Sequence, residues 1–291
     1  MLAPICLFTY NRLSETQQTV KALQKIFLAK ESDLFIFSDG AKNKEGVLKV
    51  EEVRTYIKGI SGFKSVTVFE SKENKGLANS IINGVSQIIE KYSKVIVLED
   101  DLITTPNFLN FMNQALGFYE NNSKIFSISG YTMDLPSLNE YSKDYYLGVR
   151  ASSWGWGTWK NRWENVDWEM KDYSVFIKDR HQRKAFRRGG SDMTYMLKKQ
   201  MLGKIDSWAI RWCYNQFRKE QLTVFPSKSK IMSIGFGEEA THTKKTKRFD
   251  VEIDKTEKID FNFNSTIEVD KTLEKEFRQK FSILNRLKDR F

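Results

Sequence analysis

The chain has 291 residues, 40% hydrophobic and 29% charged, and its four prolines are too few for a long disordered linker. Its net charge of +10 favours an anionic partner, but no zinc-finger spacing, ribonucleoprotein motif or repeat is present, so nucleic acid is not among the expected partners. No apolar run reaches the roughly 20 residues that span a bilayer, and MLAPICLFTY lacks the basic head and cleavage site of a signal peptide, so a cytoplasmic protein is expected.

In chain order, ICLFTY predicts a buried strand, and Ser14 with Gln17 forms a capping box for a helix carrying Val20, Leu23 and Phe27. DLFIFSDG predicts a second strand, followed by a charged helical segment, and SVTVFES a third. GLANSIINGVSQIIEKY has helical spacing through Leu77, Ile81, Val85 and Ile88. KVIVLED is strand four, PNFLNFMNQALGFYE a helix with Pro106 near its start, and KIFSISGYT strand five. This alternation implies an α/β fold, a mostly parallel, doubly wound sheet with helices on both faces.

Past residue 140 the pattern becomes irregular and aromatic. RASSWGWGTWKNRW holds four of the seven tryptophans. Trp154, Trp156 and Trp159 are either core or, with open glycine backbone between them, a platform for a sugar's apolar face. Helices are expected around 171–187 and 192–220, then a turn, the strand KIMSIG and a polar, loop-like region over 241–268. The basic runs KDRHQRKAFRR and KKTKR read most simply as solvated loops. The last segment places Leu273, Phe277, Phe281, Leu284, Leu287 and Phe291 on one face of a basic amphipathic helix. That helix either docks on the core or makes a peripheral contact with the inner membrane surface. The expected organisation is 1–140, 141–250 and a C-terminal extension over 251–291. Cys6 and Cys213 lie in apolar or aromatic surroundings and read as buried thiols.

The stretch VIVLEDDLITTPNF runs a buried strand into Glu99, Asp100 and Asp101. Ligands of doubly wound sheets bind outside the carboxyl ends of the strands, where Asp39 also falls. Acids crowded there suit a hard divalent cation, Mn²⁺ or Mg²⁺; an acidic exposed turn is the plainer alternative.

VIVLEDDLITTPNFLNFMNQAL…IFSISGY resembles the metal-binding segment of nucleotide-sugar glycosyltransferases with the A-type, Rossmann-like fold. It is most similar to the N-acetylglucosaminyltransferase I-like group and to bacterial family 2-like sugar transferases. PICLFTYNR, FSDG, NKGLANSIINGV and SSWGWGTWKNRW resemble further segments of such enzymes in the same order, so the likeness covers about residues 3–243. It implies a metal-dependent, inverting transfer from a nucleotide-sugar donor, of the uridine type, to a glycan or lipid-linked oligosaccharide. Residues 1–140 would then bind the donor and 141–250 the acceptor.

The resemblance makes Asp101 the direct metal ligand, with Asp100 near the ribose or metal and Glu99 near the transferred sugar. Asp39 would accept the N3–H of a uracil or thymine, or else serve a packing or turn role. Asn11 and Arg12 would meet the nucleotide, or else lead into a helix; Lys75, Ala78 and Asn79 would line the ribose side. Asp206, ahead of Trp208, would be the general base or a helix cap. The group's second acid is replaced by Ser207 here, which leaves the register of the base open by one residue. Asp192 is the rival base, or an N-cap. His242 would be a late metal or phosphate ligand, or a solvated loop residue. A nucleotidyltransferase would need a glycine-rich loop after the first strand, and LFTYNRLSET has none. An inert sugar-binding protein on the same fold is the other alternative.

Overall fold

The computed structural model describes residues 1–235, 247–282 and 285. The strands and helices, in chain order, are β1 (Ile5–Thr9), α1 (Leu13–Leu23), β2 (Asp33–Ser38), α2 (Val47–Lys58), β3 (Ser65–Glu70), α3 (Leu77–Tyr92), β4 (Lys94–Glu99) and β5 (Leu102–Thr104). Then come α4 (Phe108–Phe118), β6 (Ile125–Ser129), β7 (Tyr145–Gly148), β8 (Trp156–Trp159), α5 (Lys160–Trp163), α6 (Tyr173–Phe176) and α7 (Arg180–Phe186). The chain continues with α8 (Met193–Met201), α9 (Trp208–Arg218), β9 (Leu222–Pro226), β10 (Ile231–Ser233) and α10 (Lys271–Lys280).

Eight strands form one sheet in the order β3-β2-β1-β4-β8-β6-β9-β7, and six of them point the same way, with β7 and β8 reversed. The fold is therefore α/β and Rossmann-like. Alternation within the apolar strands explains the two covering layers. Ile5, Leu7, Ile96 and Leu98 face one core with Val20, Leu23, Val53 and Leu116 from α1, α2 and α4. Cys6, Phe8, Val95 and Val97 face the other, against Ile81, Val85 and Ile88 of α3 and Trp208 and Trp212 of α9. A strand buried on both sides has no polar face, so its sequence reads as a continuous apolar run. Both cysteines are buried and unpaired.

The second half departs from its expected outline. WGTW is itself a strand, β8, and it enters between β4 and β6 in antiparallel register. β9 was not anticipated, and the sheet is continuous across residue 140. Trp156 and Trp159 are core residues, 1% and 2% exposed, and Trp156 lies against Trp163, Trp208 and Trp212. Trp154 alone of the three is partly open, packed on Tyr131 and Phe249. The helix expected over 192–220 breaks at 202–207, where Gly203 adopts φ +64°, a conformation that glycine reaches without Cβ strain.

At the first helix the Ser14 capping box is absent. Arg12 stands at the cap position, its carbonyl accepts Thr16 N–H at 3.0 Å and Thr16 Oγ1 at 2.6 Å, and the helix ends before Phe27, which is 46% exposed.

The region expected as loop is, where described, pinned to the core. Asn107 Nδ2 donates to Asp254 Oδ2 at 3.0 Å and to the carbonyls of Thr256 and Lys258. Asp254 also forms a buried ion pair with Lys230, whose ammonium lies 4.7 Å from the Phe261 ring. Burial works against the Asp254 charge, but the bonds from Lys230, Asn107 and Thr256 outweigh it and hold the carboxyl near 2.

The described part of the C-terminal helix docks on the core. Leu273 and Phe281 are buried in a cluster with Tyr146 and Phe225, Glu274 pairs with Arg188 at 2.7 Å, and Glu276 accepts from Ser137 N and Oγ. The described part of its apolar face is thus covered by protein, as the docking alternative expects; Leu284, Leu287 and Phe291 lie outside the described residues. Among the described residues no helix is long and apolar enough to cross a membrane.

Candidate active site

Strand order reverses between β1 and β4: β2 and β3 build outward on one side of β1, while β4 pairs with its other side. Such a switch point opens a crevice at the carboxyl ends of the two strands, because the connections leave them in opposite directions. Arg12 follows β1 and the acidic triplet ends β4, and they meet there. Arg12 Nη1 donates to Asp101 Oδ2 at 3.0 Å, and Nη2 bonds Asp100 Oδ1 more closely still. Tyr10 N–H donates to Asp100 Oδ2 at 3.3 Å, and Thr19 Oγ1 donates to the Asp100 carbonyl at 2.8 Å. Asp100 is only 3% exposed.

One guanidinium does not neutralise three carboxylates. Burial first, then Asp101 and Asp100, push the Glu99 carboxyl up to about 8. Burial pushes Asp100 up to about 6 despite the opposing pull of Arg12. Burial disfavours the Arg12 charge too, but the two carboxylates override it and raise its pKa.

Asp101 is differently placed. Its Oδ1 has no hydrogen bond among the described residues, its side chain is 16% exposed, and its carbonyl accepts Ile234 N–H at 2.9 Å. Gly235 lies so close that a Cβ there would overlap the Asp101 carboxylate. This glycine was not singled out in the sequence, though its place as the last residue of KIMSIG was the available signal. His242 lies outside the described residues.

A hard divalent cation fits this oxygen donor set in a limited way. The cluster carries uncompensated negative charge and Asp101 has an open oxygen, yet no three acidic, histidine or cysteine groups converge as a metal cage among the described residues. Mg²⁺-type ions commonly take one or two carboxylates and complete their shell with substrate phosphates. Arg12 shares the Asp101 carboxylate with any such ion.

Asp39 takes the turn role rather than standing open to a base. Its Oδ1 accepts Gly40 N and Lys75 N, each at 2.9 Å; its Oδ2 accepts Gly76 N at 2.9 Å and Asn74 Nδ2 at 3.2 Å. Four donors fill a carboxylate's usual acceptor sites, leaving none for a uracil N3–H unless one bond opens. Asp39 is 8% exposed. It ties the β3–α3 loop to the end of β2, a junction further held by Arg54, which donates to Ser71 O at 2.6 Å and to Ser38 Oγ at 3.3 Å. Asn74 and Arg54 were not anticipated, since nothing local in sequence pairs them with Asp39. Asp39→Asn is expected to leave backbone N–H donors unpaired and to cost about 1–3 kcal/mol of stability. Urea denaturation checks this, and an unchanged midpoint would refute the clamp.

Of the other ribose-side candidates, Lys75 and Asn79 are exposed, with Asn79 Nδ2 on Lys75 O at 3.0 Å. Ala78 is 1% exposed and packs in the core, so its side chain cannot line a ligand site. Asn11 is partly buried beside Arg12.

Asp206 comes from the second half to the start of α3, beside Gly76. Its Oδ1 accepts Arg211 Nη2 at 3.1 Å, while Oδ2 stands 4.0 Å from where a Cβ on Gly76 would be. The side chain is 59% exposed. The cap role falls to its neighbour: Ser207 Oγ accepts Ile210 N–H at 3.3 Å. Asp192 does not join the cluster. Arg150 grips both its oxygens at 2.9 and 3.0 Å, and Arg150 in turn lies 3.8 Å over the Phe281 ring. Its side chain makes no capping bond to α8 either, so the geometry is that of a buried structural ion pair.

No family model and no curated protein matches the chain. Among solved structures it is similar to the mannosyltransferase PcManGT from Pyrobaculum calidifontis in complex with GDP-Man and Mn²⁺, at 10% identity and TM-score 0.34, covering 44% of this chain and 35% of that one. It is similar to S. aureus TarS at 15% identity and TM-score 0.33, covering 44% of this chain and 21% of TarS. With the 1–349 portion of TarS the identity is 10% and the TM-score 0.44, over 80% of this chain and 60% of that one. The chain spans less than two thirds of each of these proteins.

Proposed function

We propose that the chain is an inverting glycosyltransferase that moves a sugar from a nucleotide diphosphate donor to a hydroxyl of a glycan or lipid-linked oligosaccharide in surface polysaccharide synthesis. The observation that carries this reading is the meeting of Arg12 with Asp100 and Asp101 at the switch point of the sheet. A basic group that can turn to a diphosphate and a carboxylate with an open oxygen stand side by side there. Residues 1–140 form the donor half in this reading, and 141–250 supply the acceptor side.

Asp101 would hold Mn²⁺ or Mg²⁺ together with donor phosphates, and a bound ion supplies positive charge against the departing diphosphate. Arg12 adds a second, fixed positive charge at the same place. Glu99, at the end of β4, would lie near the transferred sugar. Asp206 takes the proton of the acceptor hydroxyl as the bond to the sugar forms, and its Oδ2 is the oxygen free to do so. With Asp39 saturated, the uridine assignment rests on sequence resemblance alone.

The Arg12–Asp101 ion pair favours a second reading, in which Arg12 serves as the only cation and the transfer needs no metal. A thermal-shift series of nucleoside diphosphates, each with and without Mn²⁺, separates the two. Saturating UDP with Mn²⁺ is expected to raise the melting temperature by about 5 °C, from about 2.7 kcal/mol of linkage at a hundredfold excess over Kd. An equal rise without metal would select the arginine-only form, and no rise with any diphosphate would remove the donor site.

A further inference from the structure

The positive charge of this protein is concentrated where the proposed chemistry does not use it. Between residues 171 and 204 ten Lys and Arg face three Asp, an excess of seven out of the chain's net ten. The three acids are engaged elsewhere: Asp192 with Arg150, Asp172 with Arg218 at 2.6 Å, and Asp179 with the backbone N–H groups of His181 and Gln182. Lys178, Arg180, Lys184, Lys198 and Lys204 are exposed and have no carboxylate partner among the described residues.

The outer face of α8 combines this charge with apolar surface. Tyr195, Lys198, Lys199 and Leu202 recur at helical spacing i, i+3, i+4 and i+7, so they form one stripe, while Met193 and Leu197 are buried on the inner side. Tyr195 is 57% exposed and Leu202 58%, and the Lys199 ammonium lies 4.8 Å from the Tyr195 ring centre. α7 packs beside α8 and adds Arg180 and Lys184. An aromatic ring and a leucine set among lysines suit the headgroup layer of a membrane, where the rings and alkyl stems sink and the ammonium groups stay at the phosphates. A dissolved polyanion would neutralise the lysines but would offer nothing to Tyr195 and Leu202.

We propose that the outer face of α8, with the basic edge of α7, docks on an anionic phospholipid surface. The consequence for acceptor delivery, unlike the docking itself, rests on the transferase reading. α8 runs through a short loop to Asp206, and Gln200 Oε1 accepts Ser207 N–H at 2.6 Å, so docking would present the candidate base at the membrane surface to a lipid-linked acceptor.

The test is co-sedimentation of the whole chain with phosphatidylcholine vesicles, with and without phosphatidylglycerol, in the absence of any donor. Binding is expected only to the anionic vesicles and should weaken as salt is raised. Neutralising Lys198 and Lys199 with glutamine should lower it roughly fivefold for each charge removed. Leu202→Ser should lower it further, and circular dichroism of these exposed-site variants verifies the fold. The same neutralisation at Lys21 and Lys25, beside α1 on the opposite face of the sheet, should leave binding unchanged. The proposal is overturned by no binding to anionic vesicles, by equal loss from the Lys21 and Lys25 changes, or by polyphosphate binding as tightly with no effect of Leu202→Ser. Failure of the donor-site reading would leave vesicle binding intact, so the two outcomes are distinguishable.

Discussion

Asp101→Ala is expected to cut sugar transfer about a thousandfold, the scale on which a group that stabilises charge on the leaving atoms is lost. It should also abolish the extra UDP stabilisation that Mn²⁺ provides. On the proposed reading, Asp101 is the one of the three acids at the end of β4 that would act. Asp100 is buried and bound by Tyr10 N–H and Arg12, so turning it outward would break both contacts. Burial, with the neighbouring Asp101 and Asp100, raises the Glu99 pKa, which disfavours its charged form and weakens it as a ligand. Asp101 keeps one oxygen without a hydrogen bond among the described residues. Because Arg12 retains Asp100 when Asp101 is removed, the fold should lose only about 1 kcal/mol. Donor hydrolysis and melting temperature, measured with and without Mn²⁺, check both parts. Full activity in the variant would sink the metal reading. If the wild type shows no metal response and Arg12→Gln is the damaging change, the arginine-only reading stands. An inert sugar-binding protein would instead keep its glycan affinity through Asp101→Ala.

How far this site was legible in the sequence depended on where the partners of each residue lie along the chain. β1 to β4 were readable because a strand covered on both faces has no polar alternation, and the helices between them carry clear apolar spacing. β8 was not, because WGTW becomes a strand only through pairing with β4, more than fifty residues earlier, and β6. Its glycines looked like open backbone, yet Gly157 lies where a Cβ would press on Val95 O, Leu116 and Met112. The position of the acidic triplet was legible, since it follows directly from the end of a buried strand. Its partial neutralisation was not: Arg12 lies 88 and 89 positions from the acids it binds, and only the parallel pairing of β1 with β4 brings them together. Asp39 shows the same limit. Its donors beyond Gly40 come from Asn74, Lys75 and Gly76, so the saturated carboxylate could be read only from the folded chain. At the first helix a local rule lost to a local competitor, when Thr16 and the Arg12 carbonyl closed the turn that Ser14 was expected to cap.

Asp206→Asn is expected to lower the maximal rate about a thousandfold, within the range that a positioned general base contributes. The donor KM and the Mn²⁺-dependent UDP shift should stay as they are. The substitution preserves size, and an amide oxygen can still accept from Arg211, so the 3.1 Å bond that orients the side chain has a successor. What disappears is the ability of Oδ2 to take a proton. The helix behind it should be undisturbed, because the capping bond to Ile210 belongs to Ser207. Asp192→Asn provides the contrast. There the change disrupts a bidentate pair with Arg150 in a site only 6% exposed, so stability should fall while the rate per folded molecule holds. Steady-state kinetics on both variants, normalised to folded protein by circular dichroism, decide the assignment. If Asp192→Asn lost the rate and Asp206→Asn kept it, the base would have to be sought on the other side of α8.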